Sequence, residues 1–230
     1  MPSPIEEMRI VARRLQPLKA PFVFVGGAVV CLLVDHPELS EFRPTKDVDV
    51  IVQVVTYVEF ASLEQRLRDA GFVHDTSFGA PICRWKVGGC TVDIMPENSA
   101  SLGMNTKWFP EALALSRKTD LGEGCIARVI TPPLFIATKL EAFKDRGKND
   151  FMMSHDLEDI ITVIDGRDSV VEEIAAAPVE VRRYLADWFS RLLRDADFQD
   201  ALPGYLPGLL GARQRVPLIL QRLGAISGLS

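Results

Sequence analysis

The stretch that most constrains this chain is Asp47-Val48-Asp49-Val50-Ile51-Val52-Gln53-Val54-Val55, read together with the residues that lead into it. Side chains alternate faces along a strand, so Asp47 and Asp49 share one face while Val48 and Val50 share the other. One face is core and the other carries charge. The apolar second half of the run predicts burial on both faces, as in an interior strand. Upstream, the apolar run Phe22-Val23-Phe24-Val25 is broken by Gly26-Gly27 and followed by the helical-looking Ala28-Val29-Val30-Cys31-Leu32-Leu33. Paired glycines where a strand gives way to a helix let the backbone approach a phosphate at a helix N-terminus. Gly26 and Gly27 are therefore candidate phosphate contacts, and Asp47 and Asp49 candidate metal ligands.

The remaining chain supplies a frame for that stretch. Ser3-Pro4-Ile5-Glu6 has the form of a capping box, and Ile5, Met8, Val11 and Leu15 follow at helical spacing, so a helix is predicted over about 4–17. Residues 35–46, with two prolines and many charges, read as a loop beside the site. A helix is predicted from Tyr57 to Ala70, then a short strand over 72–75. Residues 82–87 and 90–95 flank Gly88-Gly89, a strong signal for a two-residue hairpin. Asp93 thus lies on a strand between Val92 and Ile94, and can face the same cleft as Asp47 and Asp49. A short helix near 108–115 and a strand at 127–130 follow. After Thr131-Pro132-Pro133 the chain reads as helical, with helices at 133–146, 154–166, 169–176, 178–194 and about 212–223. In the helix at 178–194, Val181, Tyr184 or Leu185, Trp188 and Leu192 form the expected buried stripe.

Composition narrows the setting. The 230 residues, 47% apolar and 25% charged, suit a globular protein of one large or two small domains. No apolar run reaches the ~20 residues that a bilayer requires, and the N-terminus lacks the order of a signal peptide, so a cytoplasmic protein with no membrane partner is expected. The four cysteines stand far apart without a C-x-x-C pair and read as reduced core thiols. A net charge of −5 leaves no broad attraction to nucleic acid, so any such binding needs a local patch. The densest basic stretch is Lys139, Lys144, Arg146 and Lys148. Lys139, Phe143 and Arg146 share one helical face, and two cations there suit a triphosphate or a nucleic-acid backbone. Lys144 and Lys148 read as plain surface charge.

A magnitude bears on the three aspartates. Carboxylates ~5 Å apart at an effective dielectric near 20 repel by about 3 kcal/mol per pair. Gathering Asp47, Asp49 and Asp93 therefore calls for compensation, and a divalent cation supplies it. Mg²⁺, or Mn²⁺, favours carboxylates, water and substrate phosphate, and a pair of such ions can activate an attacking oxygen while stabilising a leaving one.

Gly26-Gly27, then Asp47-Val48-Asp49, then Asp93 on a later strand resembles the signature of the DNA polymerase beta-like nucleotidyltransferase superfamily. Arg43-Pro44-Thr45-Lys46 ahead of Asp47, and Lys139 through Asp159, make the chain similar to the AbiEii-type nucleotidyltransferases, which include toxins of bacterial toxin–antitoxin systems. The likeness covers most of residues 22–165. Two features depart from the simplest members: the 19 residues between Gly27 and Asp47, and Gly27 in place of a serine.

The resemblance implies an α+β (α/β) nucleotidyltransferase fold: a small mixed β-sheet flanked by helices over residues 1–131, followed by a helical C-terminal domain over 132–230 that completes the active-site cleft. It implies that Gly26, Gly27, Thr45, Lys46, Lys139 and Arg146 contact the nucleotide and that Asp47, Asp49 and Asp93 bind metal. Asp93 would also act as, or orient, the base that deprotonates the acceptor hydroxyl. Lys139, Asp156 and Asp159 would complete the catalytic set, with either aspartate pairing with Lys139. Capping electrostatics at a helix N-terminus accounts for Asp156 and Asp159 equally well, and His155 suits a surface or capping role.

The implied activity is transfer of a nucleoside monophosphate from a nucleoside triphosphate to an acceptor hydroxyl. The acceptor indicated is the 3′ end of tRNA, with a cognate antitoxin as partner. A protein or small-molecule acceptor stays open. So does a non-catalytic nucleotide-binding or partner-binding module, although that reading predicts an eroded set of aspartates and all three are present. A nucleotide-sugar glycosyltransferase using D-x-D fits poorly, because only 46 residues precede Asp47.

Overall fold

The computed structural model describes residues 2–37, 42, 45–54, 57–98, 105–146, 150–206 and 209–229. Arg43, Pro44 and Lys148 lie outside the described residues. The chain divides into two units, Met1–Val29 with Arg43–Thr131, and Val30–Phe42 with Pro132–Ser230.

The first unit opens with α1 (Pro4–Leu15), where Ser3 and Glu6 complete the predicted capping box and Met8, Val11, Ala12 and Leu15 are buried. After β1 (Phe22–Val25) the chain makes a 3₁₀ turn over Gly27–Val29 and runs into α2 (Val30–Leu33), which belongs to the second unit. Next come β2 (Val48–Val52), α3 (Tyr57–Asp69), β3 (Val73–His74), β4 (Arg84–Val87), β5 (Cys90–Pro96), α4 (Phe109–Leu115), β6 (Arg117–Asp120) and β7 (Ile126–Val129). These strands form one mixed sheet in the order β3-β4-β5-β2-β1-β7-β6, parallel at β5/β2 and β1/β7 and antiparallel elsewhere.

The hairpin between β4 and β5 turns at Gly88-Gly89, whose φ values of 56° and 82° are those a type I′ turn demands and that other residues resist. Register follows: Val87 faces Cys90, and each step back along β4 is a step forward along β5. β2 lies in the middle of the sheet, and Val48, Val50, Ile51 and Val52 are all buried, as its apolar run predicts. β6 is an addition to the sequence reading. Its residues, Arg-Lys-Thr-Asp, show no apolar alternation because it is an edge strand paired only with β7.

The second unit is helical. α5 (Pro132–Arg146) is its centre, buried at Leu134, Phe135, Ile136, Ala137, Leu140 and Phe143, and it packs on α6 (His155–Gly166), α7 (Val170–Ala175) and α8 (Val179–Leu192). On α8, Val181, Leu185 and Leu192 are buried as the stripe predicts, while Tyr184 and Trp188 are half-buried. A short helix, α9 (Ala196–Ala201), capped by Asp195, was not anticipated, and α10 (Leu209–Ser227) packs across α6, α7 and α8. α2 is held here by the C-terminal end of α6. The Asp35 N–H donates to the Gly166 carbonyl at 2.9 Å, and Arg167 donates to the Leu33 carbonyl at 3.1 Å while gripping Glu173 through two bonds of 2.7 Å.

Among the described residues, no helix is long and apolar enough to cross a membrane. The cysteines are free thiols, with Cys83, Cys90 and Cys125 buried and Cys31 partly so.

Candidate active site

Strand register builds the first cluster. β2 and β5 run in parallel with Asp49 opposite Asp93, and β4 runs antiparallel to β5 with Arg84 opposite Asp93. Residues opposite one another on adjacent strands share a face. Arg84, Asp93 and Asp49 therefore form a row across three strands, and Asp47, two residues before Asp49, is drawn onto the same side. The Arg84 guanidinium donates from Nε to Asp93 Oδ1 and from Nη2 to Asp93 Oδ2, each at 2.8 Å, and Nη2 also reaches Asp47 Oδ2 at 2.6 Å. Asp93 is buried, whereas Arg84 and Asp47 are partly exposed. The hydrogen bonds from Arg84 to Asp93 raise the guanidinium's pKa above its ordinary value.

Gly26 meets the row from the end of β1, where Val25 is paired with Asp49. Its φ is +69°, and a Cβ built on it would lie 1.8 Å from Asp49 Oδ2. The Asp49 carboxylate occupies the space that any side chain at position 26 would fill, so only glycine is compatible with both the backbone and the neighbour. Gly27 starts the 3₁₀ turn that follows. Thr45 and Lys46 lie on the approach to β2, Lys46 exposed and the Thr45 hydroxyl oxygen buried without a hydrogen-bond partner among the described residues.

The structure thus brings Asp47, Asp49 and Asp93 together, and it adds Arg84. The counter-charge that the sequence reading gave wholly to a divalent cation is supplied in part by this guanidinium. The signal for it was present, because a two-residue turn at Gly88-Gly89 sets Arg84 against Asp93 by counting outward from the turn. Among the described residues, no group of three or more Asp, Glu, His or Cys side chains is arranged to hold a metal ion. The chemistry of the donors nevertheless suits one. Asp47 and Asp49 are hard oxygen donors beside the Gly26 cradle, and Mg²⁺ commonly takes one or two carboxylates and completes its shell with water and phosphate. Asp93 differs, since both its oxygens already accept from Arg84.

The second cluster lies in the helical unit. Lys139 on α5 is 7% exposed, and its Nζ sits 3.1 Å from Asp156 Oδ1 and 2.6 Å from Asp159 Oδ2, both buried on α6. Arg146 adds two hydrogen bonds to Asp156, 3.0 Å from Nε and 2.8 Å from Nη2. Both aspartates therefore pair with Lys139. Burial raises the Asp156 pKa, but the hydrogen bond from Arg146 and the charge of Lys139 outweigh it and leave the carboxyl below its usual range. Lys139 and Arg146 are linked through Asp156 although Arg146 is largely exposed. Lys144 is exposed beside Glu141, and exposed His155 pairs with Glu158.

No family model matches the chain, and no curated protein matches it in sequence. Solved structures do resemble it. An antigenic nucleotidyltransferase-like protein from Paracoccidioides brasiliensis aligns over 97% of this chain and 93% of its own, with a TM-score of 0.55 at 18% identity. JHP933 from Helicobacter pylori aligns over 96% of this chain and 89% of its own, with a TM-score of 0.50 at 13% identity. The antibiotic-resistance factor ANT(2'')-Ia aligns over 81% of this chain and 91% of its own, at a TM-score of 0.49 and 13% identity. Together with the mixed seven-stranded sheet, the first likeness defines the class: this is a mixed α/β chain with a nucleotidyltransferase-like fold.

Proposed function

We propose that the protein is a metal-dependent nucleotidyltransferase that moves a nucleoside monophosphate from a nucleoside triphosphate to an acceptor hydroxyl and releases pyrophosphate. The observation that carries this reading is the register of β2 and β5, which sets Asp49 beside Asp93 with Gly26 pressed against Asp49. In this role Asp47 and Asp49 hold the metal, Mg²⁺ or Mn²⁺. When bound, the ion neutralises phosphate charge and activates the acceptor oxygen. The backbone at Gly26 and Gly27, with Thr45 and Lys46, receives the triphosphate. Asp93, held by Arg84, orients the base that deprotonates the acceptor hydroxyl. Within the second unit, Lys139 and Arg146 are the cations assigned to phosphate oxygens, with Asp156 and Asp159 positioning Lys139.

The finer reading is an AbiEii-type enzyme whose acceptor is the 3′ end of tRNA, acting as a toxin with a cognate antitoxin. It is supported by Arg43 to Asp49 and by the Lys139–Asp159 stretch. The net charge of −5 restricts RNA contact to a local patch.

The test is to incubate the protein and its Asp49→Asn variant with each α-labelled nucleoside triphosphate, Mg²⁺ and total RNA, and to resolve RNA and protein on one denaturing gel. Label on a tRNA-sized band that disappears in the variant is the expected result. Label on protein alone would move the acceptor to a side chain. Absence of label from both, with nucleotide bound, would overturn the RNA reading in favour of a small-molecule acceptor or a binding module.

A further inference from the structure

We propose that Arg84 is the resident counter-cation of Asp93 and Asp47, and that it makes metal uptake conditional on the nucleotide. The inference rests on the reading of this row as a metal–nucleotide site. Arg84 is not a chance surface partner. The β4/β5 hairpin puts it opposite Asp93, and the Nε–Nη2 edge of the guanidinium grips both Asp93 oxygens. That anchoring fixes Nη2 so that its second N–H falls on Asp47 Oδ2. Three of the five guanidinium N–H groups are thereby spent on the two carboxylates, and Nη1 makes no hydrogen bond among the described residues. The side chain is 25% exposed, and Nη1 is the part of the guanidinium that neither carboxylate holds.

Two consequences follow for a dication. An ion approaching Asp47 meets a fixed positive charge hydrogen-bonded to the same carboxylate, and like charges a few ångströms apart in a partly buried site repel strongly. A triphosphate reverses the balance. Its oxygens are charged acceptors for Nη1 and Nη2, and they bring the metal with them. Asp47 is then released to the ion while Asp93 keeps Arg84 in place. The carboxylates thus stay compensated when no nucleotide is present and do not collect free metal.

The test reads metal binding, not turnover. Free Mn²⁺ is counted by electron paramagnetic resonance against the wild type and Arg84→Gln, first alone and then with each of the four nucleoside triphosphates as its α,β-methylene analogue. The wild type should bind Mn²⁺ weakly alone and much more tightly with a fitting analogue. The variant should bind Mn²⁺ alone at least tenfold more tightly than the wild type, so that its dependence on nucleotide shrinks. Arg84→Met, which also removes the charge, should behave alike and serves if the glutamine variant does not fold by circular dichroism. Folded neutral variants that bind Mn²⁺ alone no more tightly than the wild type would overturn the role of Arg84, even with nucleotide-dependent binding intact. Wild type that takes up no Mn²⁺ with any analogue would overturn the nucleotidyltransferase reading itself, and the inference with it.

Discussion

Replacing Gly26 by alanine should damage the site through Asp49, and the structure supplies a matched control. The new Cβ would lie 1.8, 2.6 and 2.8 Å from Oδ2, Cγ and Cβ of Asp49, where ordinary contact begins near 3.4 Å. A shift of more than an ångström is needed, and the carboxylate is the group able to give way. Two costs combine: about 1–2 kcal/mol for holding a non-glycine residue at positive φ, and about 1–3 kcal/mol for overpacking. Gly124 separates them. Its φ is +70° against +69° at Gly26, and a Cβ there meets no atom within 4 Å. Gly124→Ala should therefore lose only the backbone share, about 1–2 kcal/mol, in urea unfolding followed by tryptophan fluorescence. Gly26→Ala should lose about 2–5 kcal/mol. It should also cut nucleotide transfer on the order of a hundredfold, because a displacement of about 1 Å at a reacting group costs that much, while Gly124→Ala transfers normally. Equal stability losses in the two variants, or wild-type transfer by Gly26→Ala, would refute the claim that Asp49 sits in the Gly26 cradle for a purpose.

Two further perturbations probe groups away from that glycine. Lys139→Met should destabilise the fold by about 3–5 kcal/mol, since it leaves Asp156 and Asp159 buried without their shared ammonium; a loss below about 1 kcal/mol in the same urea assay would contradict the buried ion cluster. The Cys83 thiol is pushed up to about 12, first by burial and then by the nearby Asp93 charge. Its thiolate fraction at pH 8 should thus be roughly a thousandfold below that of an ordinary thiol near ~8.5. Peptide mapping after iodoacetamide treatment should find Cys83 unmodified in the native protein and modified in urea, and rapid native labelling would count against this.

The elements that the sequence made legible are those set by local chemistry. The Ser3/Glu6 cap, the Gly88-Gly89 turn and the alternation of burial from Asp47 to Val50 each act over a few residues, and each is found where the residues place it, although β2 itself begins at Val48 and ends at Val52. Features that depend on distant pairing were not legible. β6 carries charge on both faces and is a strand only because β7 lies beside it. The parallel match of Asp49 with Asp93 joins strands that are not neighbours in sequence, so the expectation of a shared face had a direction but no register. Arg84 stands between these cases. Its pairing with Asp93 is a local consequence of the hairpin, but its reach to Asp47 needs β2 at the side of β5. In the second cluster, the i, i+3 spacing of Asp156 and Asp159 left open which would meet Lys139; packing of α5 against α6 brings in both.

The attachment of α2 to α6 also sets an order of events during synthesis. Leu33 and its hydrogen-bond partner Arg167 are 134 residues apart in the chain. At about 5–20 residues per second, the segment that follows the glycine pair leaves the ribosome on the order of ten seconds before its partners are made. Val30, Leu33 and Val34, all buried in the finished protein, spend that interval without the helix that covers them. The strands of the first unit can pair in the meantime, since every one of them is complete by residue 129. All the strands of the sheet that carries the aspartates are therefore made before the helix that seats the few residues after Gly26-Gly27, and in a nascent chain stopped short of Gly166 those apolar residues lack the α6 terminus that holds them.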